Sequence, residues 1–117
     1  MSLSDEQRQD LLNWAKPHSA IVGIWLFGSR ARGDHRPDSD FDIALELAPK
    51  KGNHDWALGD YFFEWEKWKS QIKHALSAEV SLVAFRDDLE GKFDPRIGGL
   101  LIWSREKAAG STSVPAA

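Results

Sequence analysis

Between Gly28 and Asp42 the chain reads GSRARGDHRPDSDFD, a segment bounded by a glycine–serine pair and two aspartates. Gly28 has no Cβ, so the chain can turn sharply there and a bulky anion can approach the backbone. Ser29 adds a hydroxyl and an amide at the start of a short helical turn read near Arg30 to Gly33, where unpaired N–H groups favour phosphate oxygens. Arg30, Arg32 and Arg36 carry guanidinium forks suited to phosphate, Arg36 being the weakest candidate. Asp40 and Asp42 stand two apart at the head of an extended segment, so both carboxylates leave one face. Their Cα atoms should lie about 6–7 Å apart. Carboxylates so placed converge on hard cations about 4 Å apart, an arrangement suited to in-line phosphoryl displacement. Magnesium prefers such oxygen ligands and shares its shell with substrate phosphates. Alone, the Gly-Ser pair is a turn and Asp-x-Asp a solvated strand end. In order, each joined to an apolar strand, they outline a metal–nucleotide site.

The elements that must hold these residues are legible from pattern. A helix is predicted from Ser4 to Lys16, with Ser4 capping, Gln7 reaching back and Pro17 as the stop. Ile21 to Phe27 is a short apolar run without helical rhythm and reads as a buried strand. Asp40 to Leu47 (DFDIALEL) is a second strand, with Pro49 to Asn53 a loop. His54 to Leu76 is the longest helical pattern, its apolar stripe formed by Leu58, Tyr61, Trp65, Trp68, Ile72 and Ala75. Trp56, Phe62 and Phe63 fall off that stripe and are candidates for a protein interface. Glu79 to Phe85 reads as a third strand and Leu100 to Trp103 as a fourth. Between them Asp94-Pro95 opens a short helix closed by Gly98-Gly99. Helices alternating with strands predict an α/β fold, a small mixed β-sheet flanked by helices. One domain is expected over 1–107, with 108–117 a flexible tail.

Composition narrows the partners. Fifteen basic against eighteen acidic residues leave a net charge of −3, so strong nucleic-acid binding is not expected. The absence of cysteine removes disulfides, thiolate metal sites and a cysteine nucleophile. No apolar run reaches the ~20 residues that span a bilayer, and a cytoplasmic location without membrane association is the expectation. The four histidines show no zinc-ligand spacing, and His35, in the cradle loop, is explained by exposure alone. Six tryptophans against one tyrosine are a large apolar surface for 117 residues.

The segment GSRARGDHRPDSDFDIAL resembles the signature of the polymerase-β-like nucleotidyltransferase superfamily: Gly-Ser, ten residues, then Asp-x-Asp. It is most similar to the minimal nucleotidyltransferase (MNT) group, small single-domain proteins with GSxARG and SDxD. The order of predicted elements matches that family from about residue 20 to about residue 104. The resemblance implies magnesium-dependent transfer of a nucleoside monophosphate, AMP from ATP, to a hydroxyl, with release of pyrophosphate. Gly28 and Ser29, with Arg30 and Arg32, would hold the triphosphate, and Asp40 and Asp42 would ligate two magnesium ions. It further implies an antitoxin role beside a HEPN-type partner protein that accepts the nucleotide, with homo-oligomerisation as the other option for partnership.

The resemblance also exposes a departure. Family members carry a third carboxylate on the strand after the long helix, and aligned on Val80, Leu82 and Val83 that position is Ser81. Glu79 leaves the same face one strand repeat earlier and is the candidate substitute, its alternative being a solvated strand end. Asp87 and Asp88 are read as local caps. Two functions follow: an active transferase using Asp40, Asp42 and Glu79, or a degenerate relative that binds and neutralises its partner.

Overall fold

The computed structural model describes residues 3–34, 36, 39–49, 54–86, 94 and 97–105. Helix α1 spans Asp5–Ala15, strand β1 Ile21–Phe27, helix α2 Gly28–Arg32 and strand β2 Phe41–Leu47. Helix α3 spans Trp56–Leu76, strand β3 Val80–Phe85 and strand β4 Leu100–Ser104. The strands form one mixed sheet in the order β3-β2-β1-β4. Strand β1 lies antiparallel to both β2 and β4, whereas β2 and β3, joined through α3, run parallel.

Each helix starts for a local reason. Ser4 closes a full capping box with Gln7, and each backbone amide donates to the other's side chain at 3.0 Å. The end of α1 has no basic residue of its own. Arg105 supplies one from the far end of the described chain, donating to the carbonyls of Ala15, His18 and Ile21 at 3.0–3.2 Å. Asp55 caps α3 through the amide of Leu58 and forms an ion pair with the buried Arg86. Arg86 also donates to the Ala48 carbonyl at 2.8 Å, tying the ends of β2 and β3 to the start of α3.

Alternation along β2 separates core from site. Phe41, Ile43, Leu45 and Leu47 are buried, while Asp42 and Glu46 between them are only half-buried. The inward set joins Ile24 and Leu26 of β1, Leu11 and Ala15 of α1, and Trp68, Ile72 and Leu76 of α3 in one core. At the α1–α3 contact Trp14 donates its indole N–H to Gln71 at 2.8 Å, and His18 packs between Trp14 and Trp68. Trp14, Trp56, Trp68 and Trp103 thus belong to the core or its border, four of the six tryptophans.

Some bounds and exposures differ from expectation: strand β3 starts at Val80, one residue after Glu79. Strand β2 starts at Phe41, which leaves Asp40 one residue outside the ladder. Helix α3 begins at Trp56, and its fully buried line runs through Ala57, Trp68, Ile72 and Leu76. At 100° per residue, Trp65 points between Ile72 and Leu76 within that line, yet it is 37% exposed. Trp56, expected at an interface, is half-buried against the core, whereas Phe62 and Phe63 are 66% and 90% exposed. The helix expected from Asp94-Pro95, the loop over 50–53, Asp87, Asp88, His35 and the tail over 108–117 lie wholly or mostly outside the described residues. Among the described residues no helix is long and apolar enough to cross a membrane.

Candidate active site

Strand β1 delivers the glycine elbow to the flank of β2. Phe27 is the register partner of Asp42, and the next residue, Gly28, takes φ +72°. A Cβ on Gly28 would stand 2.9 Å from Asp42 Cγ and would collide with its Oδ2. The Asp42 carboxylate therefore lies directly against the elbow, and only glycine leaves room for it. Helix α2 follows for a little over one turn and is closed by Gly33 in the left-handed region, its amide donating to the Ser29 carbonyl at 2.9 Å. Ser29 is half-buried in the first turn of that helix.

On its other side Asp42 pairs in register with Ser81 of β3, so the exposed serine occupies the place beside the carboxylate. Burial raises the Asp42 pKa above the usual carboxylate value, Asp40 raises it further, and Arg32 opposes both. Those influences place two acids and one cation around the elbow. Arg32 is exposed and forms an ion pair with Asp34 at 3.3 Å. Arg36 is exposed, and its amide donates to Ser39 Oγ at 2.8 Å.

Arg30 and Glu79 stand differently from the expectation. Arg30 is buried at 8% exposure, with Nε and Nη2 both donating to the Ser39 carbonyl, at 3.0 and 2.7 Å. Its guanidinium carbon sits 4.0 Å above the centre of the Phe41 ring. That side chain is held inside the fold, in contrast to the phosphate-binding role expected of it. The Glu79 carboxylate forms an ion pair with Lys73 at 3.1 Å, with 70% of its side chain exposed. What Glu79 gives the site directly is its carbonyl, which accepts from the Phe41 amide at 2.9 Å and starts the β2–β3 ladder.

The structure thus brings Gly28, Ser29, Arg32, Asp40 and Asp42 to one end of the sheet. Ser39, Phe41 and Lys73 were not singled out in sequence, and their types carry no signal for such a role. The Asp42 carboxylate, its pKa raised by burial and by Asp40, beside a cradle that a Cβ would fill, fits a hard divalent cation. Among the described residues no three His, Asp or Glu side chains gather to hold a metal without substrate. A hollow of about 680 Å³ between Ser4, Asp10 and His74 shares no residue with this site.

A mixed sheet whose first strand ends in a Gly-Ser elbow against an Asp-x-Asp strand defines a nucleotidyltransferase fold of the polymerase-β type. The family described as "Polymerase beta, Nucleotidyltransferase" matches residues 9–108, and the chain belongs to that family. Similar solved structures include a chain of a toxin–antitoxin assembly with AMP-PNP, 21% identical with a TM-score of 0.61, covering 92% of this chain and 82% of that one. A chain of the toxin–antitoxin MntA–HepT is 18% identical with a TM-score of 0.57, covering 96% of this chain and 82% of that one. A nucleotidyltransferase-like protein from Sulfolobus solfataricus is 19% identical with a TM-score of 0.52, over 92% of this chain and 95% of that one. At these identities the likeness is one of fold. No curated protein matches the chain.

Proposed function

We propose that this chain is a nucleotidyltransferase of the MNT group that transfers AMP from ATP to a hydroxyl of a HEPN-type partner protein, acting as the antitoxin of a cytoplasmic pair. The observation that carries the reading is the contact between the Gly28 elbow and the Asp42 carboxylate. Family membership supports the reaction class, and the toxin–antitoxin assemblies among the structural neighbours support the partner class.

Gly28 and Ser29 would receive the triphosphate oxygens and Arg32 would add positive charge to them. Asp40 and Asp42 would hold magnesium, two ions in the full arrangement, which supplies charge against the phosphate oxygens. The acceptor oxygen bonds to the α-phosphorus while the bond from that phosphorus to the bridging oxygen breaks, and pyrophosphate leaves. The acceptor proton passes to a site carboxylate or to solvent. Glu79 serves as that base only if it leaves Lys73, from which it stands 3.1 Å.

The decisive experiment incubates the chain and a HEPN-type protein with magnesium and ATP labelled at the α-phosphate. Label should pass to the partner, and Asp40→Asn should abolish it; transfer by neither form, with any divalent metal, defeats the reading. A second reading rests on Ser81 standing where the family places an acid, beside Asp42. A degenerate chain would bind and neutralise its partner without turnover. An Asp40→Asn/Asp42→Asn variant that still controls its partner favours that reading, and one that binds but loses control removes it.

A further inference from the structure

The two acids of the site are held to unequal degrees. Asp42 lies inside β2, paired with Phe27 on one side and Ser81 on the other. Asp40 lies one residue outside the strand, and its side chain is exposed. Both of its neighbours meet the same buried group. The Ser39 carbonyl accepts two bonds from Arg30, and the Phe41 ring lies beneath the guanidinium. Ser39 is also tied to Arg36, through an amide-to-carbonyl bond of 3.0 Å and an amide-to-hydroxyl bond of 2.8 Å. Arg30 itself projects from α2, which begins at the Gly28 elbow. A single side chain therefore links the elbow to the residues before and after Asp40.

We propose that Arg30 is a positioning residue whose buried guanidinium clamps the backbone on either side of Asp40 and holds that carboxylate in place beside Asp42 and the glycine elbow. Two donors on one carbonyl fix both distance and plane, which a lysine ammonium cannot reproduce. Freeing the backbone of one residue costs an entropy worth about a tenfold change in an equilibrium constant when that residue must be re-ordered around a ligand. This inference rests on the nucleotidyltransferase reading for its ligand, and its test separates the two.

Wild type, Arg30→Met and Arg30→Lys are compared by hydrogen exchange at the Ser39 and Phe41 amides without metal, by Mn2+ binding through electron paramagnetic resonance, and by ATP binding in EDTA. Arg30→Met should exchange both amides about tenfold faster and bind Mn2+ about tenfold more weakly, with ATP affinity in EDTA unchanged. Arg30→Lys should lie between, and it decides alone if the methionine variant does not fold. Unchanged exchange and Mn2+ affinity overturn the inference. So does a loss of ATP affinity in EDTA as large as the loss of Mn2+ affinity, which would make Arg30 a phosphate ligand. Failure of the wild type to bind Mn2+ overturns the nucleotidyltransferase reading instead, and the exchange arm still decides whether Arg30 holds that backbone.

Discussion

Two neighbouring stretches of the sheet meet the site with opposite chemistry. At the β1–β2 junction, Gly28 and Asp42 are packed so closely that a single methyl group has no place between them. At the β2–β3 junction, Ser81 brings no charge beside Asp42, and the Glu79 carboxylate is engaged by Lys73. The first junction gathers negative charge against its own electrostatic cost, visible in the raised Asp42 pKa. The second contributes backbone order through the Phe41–Glu79 bond. Anionic function is thus concentrated on β2, with β3 as its support. A carboxylate kept half-buried beside a second acid, at a cost the fold nevertheless maintains, is a mark of a ligand site.

The sharpest way to break this contrast is Gly28→Ala. The residue would be held at positive φ while its methyl met the carboxylate, so nucleotide transfer should vanish and stability fall by about 2 kcal/mol, read by denaturant unfolding. Asp42→Asn should also abolish transfer, yet melt at a higher temperature than wild type at neutral pH. The sign follows from the raised pKa: the native state favours protonated Asp42, so its contribution is present below the unfolded value of 3.8 and is lost as pH rises through the folded value. The gain from the asparagine should therefore disappear in acid. An asparagine variant that melts lower than wild type at pH 7 would show that the carboxylate has stabilising partners.

Ser81→Asp probes the weaker junction from the other direction. A third acid should lower the melting temperature without metal, strengthen Mn2+ binding and raise transfer; a variant with unchanged Mn2+ affinity would separate Ser81 from the site. Glu79→Gln should change stability by no more than about 0.5 kcal/mol, since its ion pair is largely exposed. A larger loss of transfer than of stability would assign that carboxylate to catalysis. Away from the site, His18 has a pKa lowered first by burial against the tryptophans and then by Lys67 and Arg105, against Glu64. Its contribution is full above the unfolded value of 6.5 and is lost as pH falls through the lowered folded value. Replacing it by Gln should flatten the decline in melting temperature over that interval.

What the sequence determined by itself is what short-range rules govern. The Ser4 capping box, the apolar β1 run and the sharp turn at Gly28 each depend on residues a few positions apart. Local chain geometry enforces them wherever the segment finally sits. The tertiary structure decided which groups meet across long separations. It set Ser81 opposite Asp42, gave Glu79 to Lys73, turned Arg30 inward onto Ser39 and Phe41, and left Trp65 of α3 exposed although it shares the side of Ile72 and Leu76. Strand register and helix rotation are chosen by the whole core at once, since a shift of one residue or a fraction of a turn exchanges buried for exposed side chains. For that reason the two acids could be read from their spacing, while the arginine that steadies one of them emerged only from the packed fold.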